Sequence, residues 1–396
     1  MAVNIVSRSA AEALIEQQLV AAIQQDTPKT SIFQQLARRL PNMTSNQTRM
    51  RVLDVLPMAY WVDGDTGMKQ TGMQAWDNVY LDAAELAVIV PIPEAVIADA
   101  SFDIMGEITP RVLEAMGQCV DSAVLFGVNK PVSWRADILT TARQAGNNVT
   151  PGTSPDYYDL LLGESGVISK VENSGRMVTA AIGAMGMRAK LRGIKGSDGH
   201  PIFNSDMQGA TQYALDGAPM YFPQNGAFDT SRAQLIVGDF SQAVWAIRQD
   251  VTVKILDQGV IQDPDTKAIK YNLAQQDMIA LRVVFRMGWA MPNPATRMDA
   301  DRVTCPFAYL EPATAITTQT VTVTVEDNAD TPAAVAGAIV DINGARKKTN
   351  ASGVATFTLE AGTYPIRVKK DGHTTVTDTV TVAAAAVSKD ITLPTA

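Results

Sequence analysis

The pattern of hydrophobic and polar positions changes near residue 317. Beyond it, β-branched residues alternate with polar ones in short runs, and most runs are followed by a turn pair that contains glycine. Alternation with a period of two, in strands spaced about ten residues apart, predicts a small antiparallel β-sandwich over 317–396. The predicted strands are 320–326, 335–343, 353–360, 363–370 and 374–383.

The first 310 residues mix helical and strand patterns. Apolar residues recur at helical spacing over 102–126, which predicts a helix of about seven turns. Ser101 and Asp103 supply its N-terminal cap, Gly127 ends it, and Pro110 is expected to kink or segment it. Strand patterns flank this helix at 51–56, 85–93 and 277–294. Together these elements predict an α+β fold.

Less regular patterns predict three more helices. A weak amphipathic stripe over 9–25 indicates an arm element rather than a core helix. Short helices are predicted over 31–40, ending at Pro41, and over 177–191. Cys119 falls within the apolar stripe of the long helix, so we expect its side chain to be buried in the core.

The segment 58–82 has a composition of its own. It carries Trp61, Trp76 and several glycine turns but few contiguous apolar residues. This composition predicts a long two-stranded excursion with aromatic anchors, and such a hairpin cannot bury a core by itself.

Composition agrees with two separate cores and argues against catalysis. All 17 Met and all five Trp precede residue 300. With a formal net charge of -8, the chain lacks the excess of basic residues with which proteins bind nucleic acid phosphates. The two Cys and two His do not have the spacing of metal ligands or of a catalytic nucleophile and its base. The acidic loop with Asp257, Asp263 and Asp265 lacks the ligand spacing of an EF-hand. We predict no catalytic, cofactor or metal site, and a protein that is not an enzyme.

No segment suggests export or a membrane. The N-terminus lacks an apolar signal region, and the longest apolar run, 86–93, is far below the roughly 20 residues that span a bilayer. We therefore expect no membrane partner.

An ordered set of segments over about 1–310 resembles the major capsid proteins of tailed bacteriophages, which have the Hong Kong 97 fold. The set comprises the strand at 85–93, the long helix ending in DSAVLFG (121–127), the run LIVGDFSQAVWAIR (235–248) and RVVFRMGW (282–289). The C-terminal strands are similar to bacterial Ig-like and carboxypeptidase-regulatory-like domains, which implies an accessory module on a surface.

The resemblance implies a division of the chain into the regions of a capsid subunit. These are an N-terminal arm with its lead-in strand (1–57), an extended hairpin loop (58–82), a peripheral domain with the long spine helix (83–131 and 246–316), an axial domain (132–245) and the Ig-like sandwich (317–396).

The implied function is a structural one in the virion. Copies of the chain would form hexamers and pentamers of an icosahedral head shell around phage DNA, assembling in the host cytoplasm with a portal. Some family members carry a scaffolding domain ahead of the arm, but here the arm-like helix starts by residue 9, so a separate scaffold protein, or self-assembly, is implied. The sandwich would project outward, with a cell surface or glycan as its partner, and deleting 318–396 should leave shell formation intact. Two alternatives stay open: a tail-tube or other phage structural protein, and a hydrolase with a carbohydrate-binding sandwich.

Three residues in the loop are candidates for contact between subunits: Trp61, Lys69 and Trp76. Some family members crosslink a lysine of this loop to an asparagine of a neighbour. Lys69 lies in the matching loop, but no motif identifies its Asn partner, and a solvated or ion-paired lysine is the favoured interpretation.

Overall fold

The computed structural model describes most of the chain as two units. The described residues are 30–62, 68–99, 103–152, 155–195, 200, 213–263, 266–312, 318–329, 332–342, 344–383 and 385–395. We call 30–312 the N-terminal unit and 318–395 the sandwich. The predicted arm helix over 9–25, the cap residue Ser101 and the loop residue Asp265 lie outside the described residues.

The N-terminal unit is α+β, as predicted. Its helices are α1 (Ile32–Leu36), α2 (Glu94–Asp99), α3 (Ile104–Phe126), α4 (Ile138–Gln144), α5 (Tyr157–Leu162), α6 (Val167–Glu172) and α7 (Met187–Arg192). Its strands are β1 (Arg38–Arg39), β2 (Gln47–Val55), β3 (Ala75–Asp82), β4 (Ala84–Pro93), β5 (Asn148–Val149), β6 (Ala180–Gly183), β7 (Ala214–Leu215), β8 (Ala218–Tyr221), β9 (Leu235–Gly238), β10 (Val244–Leu256), β11 (Val260–Gln262), β12 (Ile269–Asn272), β13 (Met278–Ala290) and β14 (Phe307–Leu310).

Two larger sheets organise this unit. One has the order β1-β10-β13-β4 and packs against the long helix α3. The other has the order β5-β14-β9-β6-β8-β7. Strand β14 falls within 246–316, the range that the resemblance assigns to the peripheral domain, but it joins the second sheet. All four residues of β14 are buried, and they pair antiparallel with β9 in the centre of the second sheet.

Helix α3 confirms the most regular prediction. The Asp103 carboxylate accepts a hydrogen bond from Gly106 N at 3.0 Å, and Gly127 ends the helix with φ 70°. The helix continues through Pro110 without being divided. The prediction that Cys119 is buried is wrong: its side chain is exposed, because the packed face of α3 runs through Met116, Val120 and Ala123 instead.

Two other helix predictions are wrong in extent. The helix predicted over 31–40 ends at Leu36, because Arg38 and Arg39 pair in parallel with the start of β10. The helix predicted over 177–191 is a strand, β6, followed by the short helix α7. All four residues of β6 are buried between β9 and β8, so sheet pairing overrides their helical spacing.

The run GDF at 238–240 lies at the connection between β9 and β10, and its Gly and Phe pack closely against Phe307. A side chain on Gly238 would lie 2.3 Å from the ring of Phe307, so only glycine fits there. Asp239 caps the turn by accepting from Ser241 N at 3.1 Å, and Phe240 meets Phe307 edge to face at 5.1 Å.

The sandwich has the predicted all-β architecture. Its strands are β15 (Gln319–Asp327), β16 (Ile339–Ile342), β17 (Ala345–Lys348), β18 (Val354–Leu359), β19 (Gly362–Lys369), β20 (Val376–Val382) and β21 (Val387–Leu393). They form a sheet β18-β15-β21 facing a sheet β17-β16-β19-β20, with a core that includes Val323, Phe357 and Ile366. The prediction of an antiparallel sandwich is wrong for β15 and β21, which pair in parallel. Strands β17 and β21 were absent from the five predicted runs, since ARKK and VSKDITL carry few apolar positions.

Candidate assembly surfaces and the junction with the sandwich

The predicted excursion is a hairpin with an extended loop. Strands β2 and β3 pair antiparallel from Gln47 opposite Asp82 to Val55 opposite Ala75. The first strand therefore begins well before residue 58, and the described parts of the loop, 56–62 and 68–74, belong to no strand. Val52, Val79 and Leu81 pack onto β10 and β13, which fixes the paired strands to the N-terminal unit.

The loop and the strand that follows it expose large apolar side chains. Trp61 is fully exposed, Met68 is 92% exposed and Trp76 is 63% exposed. Lys69 is exposed beside them. Others that are exposed in this region are Met58, Tyr60, Val62, Met73 and Tyr80. Large apolar side chains exposed together in one segment are typical of a contact with another protein chain.

A second apolar surface lies between α3 and β4. Two adjoining clefts of about 430 and 460 Å³ share Leu86 and Cys119. Their other lining includes Val88, Val112 and Met116. Strand β4 is the edge of its sheet in the described structure, so its outer backbone groups have no strand partner there.

A buried carboxylate on α3 holds the start of α1. Asp121 accepts from Ser31 Oγ at 2.5 Å, from Ile32 N at 3.0 Å, from Phe33 N at 3.1 Å and from Asn225 Nδ2 at 2.7 Å. Burial raises the pKa of Asp121 in spite of these bonds. Gly117 makes the approach possible, because a side chain there would lie 3.1 Å from Ser31 N. The carboxylate thus fixes the point at which the N-terminal region joins the long helix.

The sandwich joins the hairpin through ion pairs. Arg302 of the N-terminal unit donates to Asp54 Oδ1 at 3.1 Å and to Asp77 Oδ2 at 3.3 Å. From the sandwich, Arg346 donates to Asp77 Oδ2 at 3.3 Å, and Lys369 donates to Asp54. Burial alone would raise the pKa of both carboxyls. The cations lower the pKa of Asp54, and the hydrogen bond from Asn78 N together with the cations lowers that of Asp77.

A second junction lies at helix α4, which packs against β17 and β18. Glu360 of the sandwich accepts from Arg232 at 2.9 and 3.0 Å and from Arg143. Arg143 is buried and also donates to Tyr309 Oη at 2.7 Å. Burial would raise the pKa of Glu360, but Arg232 and Arg143 together lower it. None of these junction residues was singled out by the sequence patterns.

Lowering the pH should weaken these junctions. Because Asp54, Asp77 and Glu360 have lowered pKa values in the folded chain, their stabilisation is complete at neutral pH and is lost as pH falls below about 4. We expect the thermal unfolding midpoint to fall less steeply between about pH 5 and 3 in Glu360→Gln than in the wild type. Equal falls would contradict a contribution from this carboxylate.

Among the described residues, no group of three or more His, Cys, Asp or Glu is placed to hold a metal ion. The helices of that part of the chain are all too short or too polar to cross a membrane. Cys305 is buried, which raises the pKa of its thiol to about 12.

Different family models match the two units of the chain. Residues 11–296 match the model of the phage capsid family, and residues 333–396 match that of the PEGA domain. The PEGA match is compatible with the additional C-terminal domain that the sequence predicts. No curated protein matches the chain.

Solved structures of phage proteins share the fold. One from Microbacterium phage Oxtober96 is 33% identical and covers 78% of this chain and 100% of its own, with a TM-score of 0.68. One from Mycobacterium phage Adephagia is 29% identical and covers 79% and 100%, also with a TM-score of 0.68. The capsid of the native GTA particle, 16% identical over 79% of this chain and 100% of its own, has the same fold with a TM-score of 0.58. The chain belongs to the phage capsid family and is a major capsid protein of a phage head.

Proposed function

We propose that this protein assembles into hexamers and pentamers of an icosahedral head, with the extended loop of each subunit lying across its neighbour. The exposed apolar surface around Trp61, Met68 and Trp76 carries this proposal. Its complement is the apolar cleft between α3 and β4, which would receive the loop of the next subunit. Burial of apolar area on both sides would then drive closure of the shell.

The proposal also covers the other components of the particle, the place where it assembles and the direction of the sandwich. Trp61, Lys69 and Trp76 are proposed contacts between subunits. A separate scaffold protein, a portal and packaged DNA complete the particle, which would form in the host cytoplasm. The net charge of -8 suits a shell wall that encloses DNA without gripping its phosphates. The sandwich is proposed to face outward, because one on every subunit would compete with DNA for the interior. The role is structural, with no catalysis.

Electron microscopy of the purified full chain tests the function. Closed shells of uniform diameter are the expected result, alone or after addition of a scaffold protein. Tubes would overturn the proposal in favour of a tail-tube protein. Monomers that hydrolyse a glycan and form no particles would favour a hydrolase instead.

A further inference from the structure

The sandwich contacts the hairpin at the place where the extended loop begins. Asp77 lies opposite Val52 in the register, near the loop end of the paired strands. Asp54 has no partner in β3, because the register passes from Leu53 opposite Trp76 to Val55 opposite Ala75. An extra residue of this kind is a β-bulge, which redirects a side chain and bends the strand. Both carboxylates therefore mark the root of the loop.

These carboxylates are held from two sides. On one side stands Arg302, whose side chain is 3% exposed and which also donates to Asn293 O at 2.7 Å and Pro292 O at 2.8 Å. On the other side stand three cations of the sandwich: Arg346, Arg367 and Lys369. Arg302 ties the two carboxylates to the N-terminal unit, and the three cations tie the same carboxylates to the sandwich.

The charges at the root of the loop favour contact with the cations of the sandwich. Two carboxylates and Arg302 leave one negative charge uncompensated at the root of the loop. Arg346 approaches Asp54 at 3.9 Å and Asp77 at 3.3 Å, and Arg367 approaches Asp77 at 4.0 Å. The pairs of Arg346 are largely shielded from water, and ion pairs of that kind are less screened than exposed ones. The contacts of Glu360 with Arg143 of α4 and with Arg232 give the sandwich a second point of attachment.

We propose that the sandwich is a clasp that fixes the direction in which the extended loop leaves the N-terminal unit. Packing of Val79 and Leu81 holds the part of the paired strands that lies away from the loop. The two attachments of the sandwich, one at the root of the loop and one at α4, would hold the root itself against rotation. Its importance for assembly rests on the proposed function, but the clasp itself is a property of the single chain. The proposal replaces the expectation that deleting 318–396 leaves shell formation intact.

Hydrogen exchange on the unassembled full chain tests the clasp. The test variant is R346Q/R367Q/K369Q, which removes the three cations. The matched control is Lys389→Gln, which removes the 2.7 Å pair with Asp378 inside the sandwich. We expect amide exchange in 47–55 and 75–82 to rise at least tenfold in the test variant and to stay at the wild-type rate in the control. Exchange in β15 and β18 should stay slow in both.

A second variant covers the case in which the triple variant disturbs the sandwich. R367Q/K369Q changes only side chains that are 38% exposed, and we expect a rise of about threefold in the same hairpin amides, with β15 and β18 unchanged. R346K/R367K keeps the charges and should retain most of the protection. Unchanged hairpin exchange in both charge-removing variants would overturn the proposal. Exchange is measured on single subunits, so a failure of the wild type to form shells would overturn the proposed function and leave this result standing.

Discussion

Replacing Trp61 and Trp76 together by serine is expected to stop shell formation while the subunit stays folded. Both side chains are exposed in the single chain, so their loss removes little internal packing. A Trp that becomes fully buried in a contact stabilises it by about 4 kcal/mol, which corresponds to about a thousandfold in affinity. Every contact between subunits in the shell would lose this stabilisation, so assembly should fail at concentrations where the wild type assembles.

Two measurements separate this effect from misfolding. Circular dichroism and thermal unfolding of the serine variant should match the wild type, and sedimentation should show only small species. The variant with phenylalanine at both positions keeps most of the apolar area and should still form shells. Normal shells from the serine variant would show that these side chains do not join subunits.

Replacing Asp121 by alanine is expected to give the largest loss of stability, about 3–5 kcal/mol. The carboxylate accepts from four donors, and its side chain is almost completely buried. Alanine leaves Ile32 N, Phe33 N and Asn225 Nδ2 without this acceptor in a place that water reaches poorly. The midpoint of the N-terminal unit in urea or thermal unfolding measures the loss.

Variants with smaller changes give the matched controls. Asp103→Ala removes a carboxylate from the same helix at its exposed N-terminal cap, and we expect a loss of about 1 kcal/mol. Asn at 121 keeps one carbonyl oxygen and should fall between wild type and alanine. If Asp121→Ala lost no more stability than Asp103→Ala, Asp121 would not be the anchor of α1.

The parts of the fold that the sequence predicts best are those with local patterns. The stripe of α3 with Asp103 and Gly127 at its ends is a local signal, and so is the alternation of β15 and β20. The helix prediction for 177–191 was wrong because the small residues of this segment fit either a helix or a strand. Only burial in the sheet decides between the two.

The junction could not be predicted because its residues are far apart in the chain. Asp54, Arg302 and Lys369 become neighbours only through the sheet register and the docking of the sandwich. The one available signal was a charged residue inside the apolar strand pattern RVLDVL, which indicates a partner but does not identify it. The exposure of Trp61 was predictable, because a loop of this composition has no core of its own.

Crosslinking in assembled shells tests most directly that the loop of one subunit lies in the cleft of the next. Cys119 is exposed in that cleft, and Cys305 is buried with a raised pKa, so one native thiol is reactive. Lys69→Cys places a second thiol in the loop without removing apolar area. Treatment with a short bismaleimide should give a ladder of dimers and higher species in shells, and only monomers in unassembled subunits or after adding Cys119→Ser. Closed shells that give only monomers, or a ladder that persists without Cys119, would contradict the account.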